Sequence, residues 1–208
     1  MRKIILTLMV FGAGLSAIAQ NTYGLDDGNT RATKRQKAMS AWHQDMAEFR
    51  ARNEQERQLN ALADSLAYVQ GRAALTNRDF VFEATSITFK NGTTAFVNST
   101  TNFISLKGNR AVVQVSPNVM ASGPNGVGGV TVEGNVTDLQ VKTDNKGRTT
   151  LSMNVMGIGI NAQVEVYMYP GTNKASATVY PNFNSNTLWL QGSVVPYENS
   201  NVFEGNSL

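Results

Sequence analysis

Apolar residues recur along the first third of the chain at spacings of three and four. Met39, Trp42, Met46 and Phe49 make one stripe, and Leu59, Leu62, Leu66 and Val69 make another. Such spacing marks one face of a helix. No Gly or Pro interrupts the stretch between Lys37 and Gln70. The pattern predicts an amphipathic helical segment over residues 37–76, with Gly71 as a point of fraying or termination. The two stripes do not share a register. The charged run Arg50–Arg57 separates them, so the helix is bent, divided in two, or docked only at its ends.

After Arg78 the period changes from helical to alternating. Short runs of Val, Thr, Phe, Ile and Tyr follow one another, with turn residues between them. The runs are Phe80–Phe89, Phe103–Leu106, Ala111–Val115, Val130–Glu133, Val136–Val141, Thr149–Met156, Ala162–Tyr169, Ala175–Tyr180 and Thr187–Val195. The joins Asn91-Gly92, Gly108-Asn109, Lys146-Gly147 and Gly171-Thr172 tolerate positive φ and suit tight hairpins. Residues 79–208 therefore read as an antiparallel β-domain. It is a meander of about 8 strands, closed as a lipocalin-like barrel or folded as a sandwich. The alternation assigns faces. Leu151, Met153, Val155, Ala162, Val164, Val166, Met168, Ala175, Ala177, Val179, Leu188 and Leu190 point inward. Tyr167, Tyr169, Tyr180 and Trp189 point outward, where grouped aromatics can stack on a ring or bury a partner.

The N-terminus carries a different signal. Arg2 and Lys3 precede the apolar run Ile4–Leu15, and Ala17-Ile18-Ala19 is a small-x-small site. These are the three parts of a secretory signal peptide over residues 1–19, cleaved after Ala19. The run is short for a bilayer span, which takes roughly 20 residues, so no transmembrane span is expected in the mature chain. Residues 20–36 are polar and read as a flexible leader. We expect an exported protein whose mature chain lies outside the cytoplasm.

Composition narrows the function classes. The chain has 208 residues and no cysteine, so its stability rests on burial and backbone pairing rather than disulfides. Its net charge of +3 includes Arg2 and Lys3, and without them the chain is near neutral. The charge is therefore no argument for a nucleic-acid partner, which needs a clustered basic face, and none is expected.

The run DFVFEATSITFKNGTTAFVNSTTNFISLKGNRAVVQV, then SGPNGVGGVTVEG, then YPNFNSNTLWLQG and the tail SNVFEGNSL occur in order. Over Asp79 to Leu208 the chain resembles an exported bacterial family known as domain of unknown function 4251. The resemblance implies a β-rich domain in the periplasm or cell envelope of a Gram-negative bacterium, and carries no activity or catalytic residue with it.

The chemistry in the sequence is sparse. Gly123, Asn125, Gly126, Gly128 and Gly129 crowd into one loop. A phosphate loop would need a Lys-Ser/Thr and a following helix, but Val130-Thr131-Val132 is a strand. The loop is expected at one end of the sheet, where it could flank a ligand mouth. His43, the one histidine, sits in the helix and lacks a nucleophile to serve. Metal sites built on Cys and His are unavailable, and Asp144–Gly147 lacks the ligand spacing of a calcium loop. Glu83, Glu133, Asp138 and Glu165 fall one per strand and do not form a glycosidase pair. No catalytic residue, cofactor or metal is expected. The reading is a non-catalytic exported protein that binds an apolar or amphiphilic, lipid-like molecule. The alternative is a structural or interaction protein that binds another envelope protein through its helix and outward aromatics.

Overall fold

The computed structural model describes residues 31–116, 129–158, 161–182 and 187–207. The expected signal peptide, most of the expected leader and most of the Gly-rich loop lie outside these residues. Helix α1 runs Arg31–Asn77 and begins ahead of Lys37. The chain divides after Arg52 into two units. In the first, Met39, Trp42 and Phe49 are exposed, and Trp42 meets the His43 ring edge-on with centroids 5.0 Å apart.

The second unit, Asn53–Leu208, holds the rest of α1 and the β-domain. Its strands are β1 (Asp79–Phe89), β2 (Thr94–Phe96), β3 (Phe103–Lys107), β4 (Arg110–Val115), β5 (Val130–Thr143), β6 (Thr149–Gly157), β7 (Asn161–Met168), β8 (Lys174–Pro181) and β9 (Leu188–Pro196). All pairings are antiparallel, in the order β2-β1-β3-β4-β5-β6-β7-β8-β9, and β9 returns to β1. Strands β1 and β3 to β9 thus close an eight-stranded barrel, and β2 flanks the far half of β1. Closure decides between barrel and sandwich, and it removes the sheet edges that would otherwise pair with other chains.

Two expected strands are one. Val130–Glu133 and Val136–Val141 belong to the single long β5, which pairs with β4 at its start and β6 at its end. Gly134 does not break the strand, because it lets the Met156 backbone pass close. A Cβ there would lie 2.4 Å from the Met156 carbonyl. Strand β5 instead bends at a bulge between Thr137 and Gln140, where Asp138 has φ 52° and accepts a bond of 2.9 Å from Asn154.

The inward residues named from alternation are buried as expected, apart from the half-buried Leu188. They form one cluster with Phe80, Phe82, Ile104 and Leu106. The end of α1 belongs to the same cluster through Ala74 and Leu75. Gly71 does not end the helix. It is buried, and a Cβ there would sit 3.0 Å from Met168 Sδ and 3.3 Å from the Val194 carbonyl. The missing side chain lets the helix lie against the barrel. Tyr68 donates its hydroxyl to the Gly147 carbonyl at 2.5 Å, so the helix spans the barrel end that carries the β5–β6 and β7–β8 turns. Arg78 stops it in the left-handed region at φ 58°.

A second cluster lies outside the barrel. Val81, Phe103 and Val112 point outward and are buried beneath Val195, Tyr197 and Val202. After β9 the chain makes a 3₁₀ turn at Tyr197–Asn199 and crosses β3 and β4 as a strap. Lys107 Nζ stands 4.8 Å over the Tyr197 ring.

Candidate ligand mouth

The helix covers one end of the barrel. The opposite end carries the β1–β2 turn and the β4–β5, β6–β7 and β8–β9 connections. There a recess of about 540 Å³ opens, lined among the described residues by Phe89, Lys90, Asn91, Thr187 and Leu188. Phe89 and Leu188 pair across β1 and β9 and are half-buried against the core. Val97 and Val115 also pack on the core as partly buried residues. Apolar groups thus form the floor, while an amide, a hydroxyl and an ammonium-bearing side chain form the rim. That division suits a molecule with an apolar body and a polar end.

Of the loop residues Gly123, Asn125, Gly126, Gly128 and Gly129, only Gly129 is described. A Cβ on it would lie 1.9 Å from the Val115 carbonyl, so glycine is required where the chain leaves the loop beside β4. The connection that contains the loop leaves β4 and enters β5 at the recess end of the barrel.

The outward aromatics do not gather into one patch. Trp189 stands opposite Thr178, and Tyr180 opposite Gln163, so these two are diagonal neighbours across β8 and β9. Both are about two-fifths exposed. Tyr167 lies nearer the helix end, opposite Ser176, and Tyr169 lies just beyond β7. Tyr167 is half-buried and donates its hydroxyl to Glu165 at 2.8 Å. That bond, then lost hydration and the carboxylate charge, raises the Tyr167 phenol above its ordinary value.

The four scattered carboxylates remain apart, each with a structural partner. Glu83 is not fully solvated, because the strap lies over it and Ser200 donates to it at 2.5 Å. Asp138 holds the β5 bulge, and Glu165 accepts from Tyr167. Glu133 accepts from Arg110 Nε at 2.6 Å, and Arg110 also pairs with Glu204 of the strap. The Arg110 bond holds the Glu133 carboxyl below its usual range. Glu133 and Glu204, by hydrogen bonds and charge, raise the Arg110 guanidinium further. Asp144 is lowered first by the Arg148 backbone N–H and then by that of Lys146, as expected of a turn. Among the described residues no group of three Asp, Glu or His side chains could hold a metal ion. None of their helices is long and apolar enough to cross a membrane.

The sequence reading missed β2 and the strap's anchor. The strap is held by Gln114, which is fully buried on the outer side of β4. Its Nε2 donates to the Thr101 and Phe203 carbonyls, and its Oε1 accepts from Thr131 Oγ1 and the Gly205 amide. Asn102 is equally buried, and its side chain bridges to both backbone groups of Ser116. The available signal was a polar residue inside an aliphatic run, AVVQV, which a wet sheet face also explains.

The second unit is thus a closed antiparallel β-barrel with one end covered by the end of α1 and the other recessed. Residues 63–194 match the domain of unknown function DUF4251, and the chain belongs to that family. The match takes in the docking end of α1 and stops before the strap. A crystal structure of a DUF4251 family protein from Bacteroides eggerthii DSM 20697 is similar to this chain. It has a TM-score of 0.61 and 46% identity, over 69% of this chain and 96% of that one. No curated protein matches.

Proposed function

We propose that this is an exported, non-catalytic envelope protein that binds an apolar or amphiphilic small molecule at the mouth of its barrel. The supporting observation is the recess of about 540 Å³, with Phe89 and Leu188 as floor and Lys90, Asn91 and Thr187 as rim. Its size is that of a ligand pocket, commonly about 300–1,000 Å³. The inward side chains already pack as one cluster that includes the helix end, which favours the mouth over the barrel's depth. Among the described residues Glu83, Glu133, Asp138 and Glu165 are each engaged by a structural partner, which supports binding over turnover. Residues 1–19 support export, and the same purified protein tests it, because cleavage leaves Gln20 as the first residue.

The test is native mass spectrometry of protein taken from its own host. A retained small molecule is expected, and it is expected to be lost in Leu188→Asp, which places a charge on the floor. A protein that arrives empty and takes up no alkyl-chain probe would overturn the reading. A second reading rests on the exposed pair Tyr180 and Trp189, which another envelope protein could cover. In-cell cross-linking from position 189 that recovers one abundant partner would favour it.

A further inference from the structure

The segment of α1 from Asn53 to Asn77 has two apolar faces, and only one is covered. Tyr68, Gly71 and Leu75 face the barrel. Leu59, Leu62, Leu66 and Val69 are 58%, 69%, 59% and 55% exposed. At 100° per residue this stripe lies about 165° from the docking residues, on the far side of the helix. Four aliphatic side chains bare to water on one helix face require a partner.

The stripe indicates which partner. Its spacing of three, four and three is unchanged when read backwards, so it can meet a copy of itself about a two-fold axis. In an antiparallel pair centred on Asp64, Leu59 meets Val69 of the other copy and Leu62 meets Leu66. One layer further out, Gln55 meets Ala73. The layers are then Leu–Val, Leu–Leu and Gln–Ala, so no layer pairs two small side chains. A parallel pair would stack Ala73 on Ala73 and Gln55 on Gln55, leaving one end thin. The charged residues Glu54, Glu56, Arg57, Asp64 and Arg72 all lie about 100° or more from the centre of the stripe. No like charges therefore oppose the contact. Interfacial membrane helices are rich in Lys and Arg on their polar face, whereas here three carboxylates outnumber two arginines.

We infer that this protein self-associates through antiparallel pairing of residues 55–73 of α1, which leaves the two barrels on opposite sides of the helix pair. This does not depend on the ligand reading. The interface is smaller than a standard one of about 1,600 Å², so dimerisation is expected in the range of roughly 1–100 µM.

Sedimentation velocity over a concentration series tests it. A monomer–dimer equilibrium is expected, and Leu62→Glu with Leu66→Glu is expected to abolish it. Both sites are exposed, so the far-ultraviolet circular dichroism, and the melting temperature at concentrations where the protein is monomeric, should not change. The chain has no cysteine, so direction can be read by oxidation. A mixture of Leu59→Cys and Val69→Cys proteins should form a linked heterodimer. Either alone should not, because like positions stand about 15 Å apart. Monomer at several hundred micromolar, or linkage of Leu59→Cys to itself, would overturn the inference. So would flotation with phosphatidylethanolamine–phosphatidylglycerol vesicles that the double variant abolishes while the protein stays monomeric.

Discussion

The side-chain amide of Gln114 donates to the backbone carbonyl of Phe203 at 2.8 Å, joining the outer side of β4 to a strap that arrives after the barrel has closed. The same side chain makes three further bonds, so every donor and acceptor it carries is used. Gln114→Leu keeps the volume and removes all four. The Thr101 and Phe203 carbonyls, the Thr131 hydroxyl and the Gly205 amide then compete for partners in a dry site. Destabilisation of about 2–4 kcal/mol is expected in urea unfolding. Phe203→Ala is the control. Its side chain is exposed and its useful group is the backbone carbonyl, so a change within about 0.5 kcal/mol is expected.

The helix is tied to the barrel by contacts of unequal weight. Leu75 is fully buried in the main cluster. Leu75→Ala removes its methyls and leaves a cavity at the barrel end, with an expected loss of about 2–5 kcal/mol. Tyr68→Phe removes only the bond to the Gly147 carbonyl, with an expected loss of about 0.5–1.5 kcal/mol. Hydrogen exchange separates the two. Tyr68→Phe should raise exchange mainly in the helix around residue 68 and the β5–β6 turn, whereas Leu75→Ala should raise it across the barrel.

The Arg110 cluster makes stability depend on acid. The Arg110 bond lowers the folded-state value of Glu133. A group lowered on folding contributes above its unfolded value, about 4.3 for Glu. That contribution is lost as pH falls from about 4.3 through the lower folded value. The Arg110 and Glu133 side chains are 44% and 37% exposed, so water and salt screen the pair. Its contribution is therefore about 0.5–1 kcal/mol. Glu133→Gln should lower the melting temperature at pH 7 and change it little at pH 3. A difference of equal size at both values would assign the effect to packing instead.

The parts of the fold that periodicity carries were legible in the sequence, and the parts that depend on one-off contacts were not. Alternation in Leu151–Val155 and Ala162–Met168 gave the inner face because a closed sheet buries every second side chain. Gly71 reads locally as a point of termination, and Gly134 falls in the gap between the expected runs Val130–Glu133 and Val136–Val141. In the fold each allows another group close, Met168 in one case and the Met156 backbone in the other. Such a requirement depends on residues far along the chain and leaves no local mark. The recess is similar. Phe89 and Leu188 become neighbours only when β9 closes on β1.

That closure provides the sharpest steric test. Gly192 in β9 faces Ala84 across the bulge in β1. A Cβ on Gly192 would lie 2.0 Å from the Glu83 carbonyl and 3.0 Å from the Ala84 Cα. Both are backbone atoms, so a rotamer change cannot relieve the overlap, and the seam between first and last strands must open. Gly192→Ala is expected to cost more than about 3 kcal/mol. Gly171→Ala separates crowding from conformation, because its φ is 73° and nothing lies within 4 Å of the added methyl. The cost there is left-handed strain alone, about 1 kcal/mol. Chemical unfolding of both variants should rank them in that order. Equal losses would mean that the β1–β9 seam yields more readily than its backbone contacts imply.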